Sequence, residues 1–147
     1  MRLLMICAGA ALLSACGQAP APSRTAGLEL GRWITASGNL EVEIAPCDAA
    51  LCGTVIKVLA NRSMAEPGKE MAPVDPRTVL GLKVLSEFVP AGADEWQGEI
   101  YNRENGKTYR CIIAVAGPDE LKVRPYVVLP LFGQTQIWRR VATAASR

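Results

Sequence analysis

Beyond residue 30 the chain alternates apolar and polar positions. In LEVEIA, residues 40–45, Leu40, Val42 and Ile44 alternate with Glu41 and Glu43. That period of two is the mark of a half-buried strand. The ASGN segment at 36–39 has the chemistry of a hairpin turn, so GRWITA, 31–36, becomes its partner strand. CGTVIKVL at 52–59, GLKVLSEF at 81–88 and DEWQGEIYN at 94–102 read as the next three strands. Asn105-Gly106 is the strongest short hairpin signal in the chain. It leads into KTYRCIIAVA, 107–116, the longest strand, and GPDE at 117–120 turns the chain into LKVRPYV, 121–127. QTQIWRRV, 134–141, closes the set, and residues 142–147 read as a frayed tail. The pattern predicts an all-β domain over 28–141, an antiparallel meander of about eight strands. Such a meander hides its edges by closing into a barrel. An eight-stranded barrel either fills with side chains or holds one small ligand. The alternative architecture is a two-sheet sandwich.

Two stretches break the alternation. Residues 60–80 run about twenty positions without strand pattern and carry Pro67, Pro73 and Pro76. Asp75-Pro76 resembles a helix cap followed by a first-turn proline, which predicts a short helical turn over Arg77–Leu80, stopped by Gly81. The segment is either a lid over one barrel mouth or a plain surface loop. YVVLPLFG, 126–133, is apolar around Pro130. Its ordinary reading is strand end and core; exposed, it would be a patch for a partner or a membrane.

The opening, MRLLMICAGAALLSACGQ, follows a different rule. Arg2 is its one charge, and Leu3–Leu13 is too short to span a bilayer as a mature helix. A positive start, an apolar middle expected to be helical, and small residues before a break describe a secretory signal over 1–15. Leu13-Ser14-Ala15-Cys16 resembles the bacterial lipobox, which implies lipidation of Cys16 and loss of residues 1–15. More than one acyl chain is needed for durable anchoring. Gly17 rather than Asp follows the cysteine, which implies the periplasmic face of the outer membrane as destination. From Cys16 to residue 27 the chain is rich in Ala, Pro, Ser and Gly and reads as a tether.

Composition narrows the function. Processing leaves 132 of the 147 residues, enough for one domain with one core. Without Arg2 there are 15 Lys and Arg against 14 Asp and Glu, so no electrostatic footprint for nucleic acid exists. Histidine is absent, which removes the commonest general base and metal ligand. The expectation is no cofactor, no metal site and no catalytic residue. The cysteines follow from the compartment. Cys47 and Cys52 lie in PCDAALCG, five positions apart. Zinc wants four ligands, and a thioredoxin-like pair is C-x-x-C. In an oxidising compartment the reading is a Cys47–Cys52 disulfide closing a small loop, with two free thiols as the alternative. Cys111 is left over, on the same side as Tyr109 and Ile113, and reads as a buried unreactive thiol.

These segments together resemble the "domain of unknown function 2147" family of bacterial envelope proteins. The resemblance is carried by GRW at 31–33, NLEVEIAPC at 39–47, ALCGTV at 50–55, VLGLKVL at 79–85 and W-x-G-x-I-Y at 96–101. It continues through NGKTY at 105–109, LKVR at 121–124 and Q-x-W-x-R at 136–140. It implies a lipocalin-like closed barrel and no settled activity. Pro125 stands where the family usually has Gly, and the family's acidic-Asn-Pro stretch is poorly kept around 60–75. Gly31-x-Trp33 resembles the start motif of lipocalins, in which a tryptophan plugs one barrel end and an arginine from the last strand lies across it. Arg140 is placed for that role.

Few residues suggest chemistry. Glu41 and Glu43 share a face and read as the wet side of the wall. Arg124 and Tyr126 share the face opposite Leu121 and Val123; inward, they would hold an anion beside a hydroxyl donor, and outward they are surface. The functional expectation is a lipid-anchored envelope protein whose barrel binds a small hydrophobic or anionic molecule. The alternative is a filled barrel serving as a scaffolding or interaction lipoprotein, with 127–132 as its contact.

Overall fold

A computed structural model describes residue 17 and residues 27–143. The expected signal helix over 1–15, the expected lipid site at Cys16, most of the expected tether and residues 144–147 lie outside the described residues. Eight strands follow one another: β1 Gly31–Ile34, β2 Leu40–Cys47, β3 Ala50–Val58, β4 Lys83–Pro90, β5 Glu95–Asn102, β6 Lys107–Gly117, β7 Glu120–Tyr126 and β8 Gln136–Arg140. Each pairs antiparallel with the next, and β8 returns to β1 through Trp33↔Arg140 and Ile34↔Arg139. The barrel is closed, which rules out the sandwich.

Because strand direction alternates, the connections sort into two ends. The β1–β2 turn, the long 59–82 loop, the β5–β6 turn and the 127–135 segment lie at one end. The residues before β1, the β2–β3 hairpin, the short turns at 91–94 and 118–119, and the chain leaving β8 lie at the other.

Pleating decides what fills the interior. Trp33 pairs with Val42, and Val42 with Val55; Trp96, Ile113 and Val123 form another inward row. With Ile44, Leu85, Phe88, Leu121 and Trp138 these residues make one buried cluster. Two glycines allow its density. A Cβ on Gly98 would meet the Phe88 ring at 2.7 Å and the Ser86 carbonyl oxygen at 2.6 Å, and one on Gly53 would meet Leu85 at 2.8 Å. Bulk on either would force the core apart.

The end near β1 is sealed. The Arg140 guanidinium lies 4.2 Å from the centroid of the Trp33 ring. Its nitrogens donate to the carbonyls of Leu30, Leu28 and Pro118, while Trp33 Nε1 donates to the Glu29 carbonyl at 3.0 Å. The Cys47–Cys52 disulfide is formed and spans the β2–β3 hairpin beside this end. The other described cysteine, Cys111, is free and fully buried.

Two local expectations fail. No helical turn forms over Arg77–Leu80; the described secondary structure there is a turn around Val79–Leu82. Asp75 does accept the Arg77 amide at 2.9 Å. However, its carboxylate is also taken by the Arg77 guanidinium and the Tyr101 hydroxyl, so tertiary contacts pull the segment out of helical geometry. The helical turn forms instead at Pro130–Phe132, as a 3₁₀ turn. Reading 127–132 as core is also wrong. Val128 and Leu131 are 82% and 80% exposed, and Val127, Leu129 and Phe132 are exposed too. The Arg124 guanidinium holds this connection against the outside of the wall through the Pro130 and Leu131 carbonyls.

A candidate ligand cavity at the open end

The core does not reach the end where the long loop lies. A cavity of about 380 Å³ opens there. Leu40, Val84 and Trp138 belong both to the core cluster and to the cavity wall, so the floor of the cavity is the top of the core. Ile100, Tyr101 and Tyr109 on β5 and β6 build one side, and Gln134, Gln136 and Phe132 another. Thr35, Ser37 and Asn39 of the β1–β2 turn, with Met64 and Met71 of the long loop, complete the rim. The volume lies within the range of small-molecule sites, which are typically apolar with a few placed polar groups.

The long loop is strapped to three neighbouring elements. Asn39 Nδ2 donates to the Arg62 carbonyl at 2.8 Å, and the Arg62 amide returns a bond to Asn39 Oδ1 at 2.9 Å. Glu104, in the β5–β6 turn, accepts from the Ser63 hydroxyl and from the Met64 amide. Tyr101, inside β5, donates its hydroxyl to Asp75 Oδ2, and the Arg77 guanidinium lies 5.2 Å from the Tyr101 ring centroid. The Arg77 side chain and the Tyr101 hydroxyl hold the Asp75 carboxyl far below the usual carboxylate range. The Ser63 hydroxyl lowers the pKa of Glu104. Met64 and Met71 thereby border the mouth as fastened, adaptable apolar surfaces.

Arg103 is the polar feature that no sequence pattern singled out. It lies in the β5–β6 turn, yet it is only 9% exposed and lines the cavity. One of its terminal nitrogens donates to Asn61 Oδ1 at 3.2 Å. A turn residue beside Asn-Gly reads as surface, and the signal that it is not lies in residues far away in the chain.

Arg124 and Tyr126 share a face, as the alternation requires, but the register puts that face outside. Ile113↔Val123 and Cys111↔Pro125 are the inward pairs; Ile112↔Arg124 and Arg110↔Tyr126 alternate with them. Pro125 pairs without a bulge. Arg124 does not line the cavity. Its guanidinium binds the Pro130 and Leu131 carbonyls and the Thr135 hydroxyl, and so clasps the 127–135 segment to the wall. Tyr126 borders the cavity at the rim, but its hydroxyl accepts from Gln97 Nε2 at 2.6 Å. It is buried because the following segment folds back over it: a Cβ on Gly133 would meet Tyr126 Cβ at 3.0 Å and the Pro125 carbonyl oxygen at 2.5 Å. At the tip of this segment the Leu129 amide donates to the Val127 carbonyl, with Val128 at φ 67°. That is a γ-turn centred on a β-branched residue in a strained conformation.

The remaining candidates are structural. Arg32 lies 3.9 Å from Glu41 and 3.8 Å from Glu43, so the two carboxylates share one cation on the outer wall. Glu41 is nonetheless covered rather than wet. Burial pushes the Cys111 thiol up to about 12. Among the described residues no cluster of three or more metal-ligating side chains occurs.

Comparison with known proteins agrees with this architecture. None of the curated proteins matches the chain. Among solved structures, the barrel is similar to protein HP1028 from the human pathogen Helicobacter pylori, described as belonging to the lipocalin family. The two share 18% identity with a TM-score of 0.56, over 77% of this chain and 82% of that one. At that identity the likeness is one of fold. A family model described as "Uncharacterized protein conserved in bacteria (DUF2147)" matches residues 31–140. That match runs from the first strand to the last, and the chain belongs to this family.

Proposed function

We propose that this protein is a small-molecule-binding module of the bacterial cell envelope, anchored by lipid on Cys16 and carrying a small hydrophobic ligand in the open end of its barrel. The observation that carries the reading is the 380 Å³ cavity over a filled lower half. A fully packed interior would leave no such space. The resemblance of Leu13–Cys16 to a lipobox supports the anchor and the periplasmic face of the outer membrane as its place.

Native mass spectrometry of protein extracted from its own envelope tests the binding. The expected result is a small molecule bound one to one, lost when Ile100→Trp fills the cavity of a still-folded barrel. A bare lipidated chain in every preparation contradicts the reading. The anchor is tested apart from it: a fatty-acid probe should label the wild type and not Cys16→Ala.

A second reading has one observation in its favour. The apolar tip at Val128, Leu131 and Phe132 is exposed and pinned by Arg124. An interaction lipoprotein would use that tip as its contact. Cross-linking from Leu131 to a defined envelope component, with empty barrels throughout, would favour it over ligand carriage.

A further inference from the structure

Within the binding reading above, on which this inference rests, the chemistry of the cavity wall selects its ligand further. Among the described residues, the lining includes one charged side chain, that of Arg103; Asp, Glu and Lys are missing from it. A guanidinium presents five N–H donors in a fixed fork. The structure gives it one acceptor, Asn61 Oδ1, and among the described residues no carboxylate oxygen lies within 4.0 Å of it. Glu104 is close enough for Arg103 to favour its ionised form, but its two oxygens already accept from Ser63 and Met64. A nine-tenths-buried cation with so little compensation is costly unless a negative partner arrives. Leu40, Val84 and Trp138 at the floor of the same cavity, with Ile100 on its wall, supply an apolar surface.

We propose that Arg103 is the head-group anchor of this cavity, and that the ligand is a single-chain amphipathic carboxylate whose carboxylate pairs with the guanidinium while its tail lies against Leu40, Val84, Ile100 and Trp138. A carboxylate matches the arginine fork with two parallel bonds. The size follows from the volume: 380 Å³ takes roughly a dozen water-sized groups at about 30 Å³ each. A chain of about ten carbons with its carboxylate fits that space; a two-tailed lipid does not.

The test is a head-group series on the full-length protein, exchanged from detergent into amphipol, with protein-free amphipol as blank. Decanoate, 1-decanol and decyltrimethylammonium are titrated at pH 7.5 below their aggregation concentrations, and binding is read from tryptophan fluorescence, since Trp138 borders the site. Decanoate should bind at least about tenfold tighter than decanol, and the cation weakest, as expected for a charge-assisted hydrogen bond. Arg103→Gln should cost decanoate that factor and leave decanol within about twofold. Arg103→Lys should restore part of it.

Decanol binding as tightly as decanoate, or Arg103→Gln retaining the preference, overturns the anchor while leaving the cavity reading intact. No binding of any of the three overturns both. If Arg103→Gln does not fold, the series on the unaltered protein decides the question alone.

Discussion

The Arg140 guanidinium sits over the indole of Trp33, 4.2 Å from the ring centroid, at the seam where the last strand meets the first. The two residues are paired across that seam, so one contact both plugs the barrel end and joins its edges. The cation–π term alone is worth about 0.5–2 kcal/mol. The hydrogen bonds to the Leu28, Leu30 and Pro118 carbonyls add to it.

Arg140→Ala should therefore destabilise the barrel by about 2–4 kcal/mol, since it loses the ring contact and leaves those carbonyls short of donors. Arg140→Lys should cost about half as much, because a single ammonium cannot reach several carbonyls in a fork. Urea denaturation followed by tryptophan fluorescence measures both. Equal loss in the two variants would mean that charge, not geometry, holds the seam.

Gly98→Ala should cost about 1–3 kcal/mol, because its Cβ has no room beside the Phe88 ring and the Ser86 carbonyl. Gly117→Ala serves as the control: nothing lies within 4 Å of a Cβ there, so the change should be within about 0.5 kcal/mol of neutral. Thermal melts of the pair separate overpacking from a general intolerance of alanine in strands.

Cys111 should resist alkylation by iodoacetamide in the native protein at pH 8 and react once the chain is unfolded. Desolvation raises its thiol to about 12, so the folded state keeps the proton that the unfolded state gives up. The native state then binds more protons than the unfolded one above the ordinary thiol value of about 8.5. Stability contributed by this group is complete below that value and falls as pH rises from there toward 12. Cys111→Ala should flatten this alkaline slope in denaturation curves taken across the range.

Asp75→Asn should loosen the 59–82 loop without unfolding the barrel. The carboxylate joins Arg77 to Tyr101, and its side chain is 6% exposed. Its depressed pKa means the latch contributes fully above the ordinary carboxylate value of about 4 and is lost only as pH falls below it through the lowered one. Limited trypsinolysis at neutral pH should cut the variant faster at Lys69 and Arg77, while core amides keep their protection. A carbon-detected NMR titration of Asp75 in the wild type should show the carboxyl still ionised where exposed acids have protonated.

Much of this molecule is legible one residue at a time. Alternation in LEVEIA, the Asn105-Gly106 turn and the Cys47–Cys52 spacing are local features. They predict the hairpins and the eight strands to within about two residues at their ends, while the disulfide needs the oxidising compartment as well as the spacing. Pleating also makes Arg124 and Tyr126 share a face, because side-chain direction repeats every two residues. Which face that is belongs to the closed register, in which Ile113↔Val123 points inward.

The ligand site is the part that no local pattern contains. Arg103 reads as a turn arginine in the sequence; it becomes a buried cation because Asn61 reaches it from 42 residues away and Ser63 and Met64 settle on its neighbour Glu104. The same distance effect turns Asp75 from a helix cap into a latch on Tyr101. Backbone periodicity is a property of neighbours along the chain, so sequence alone determined strands and turns. Burial, charge compensation and empty space are sums over neighbours in space, so the cavity and the buried Arg103 in its wall were decided only when the barrel closed.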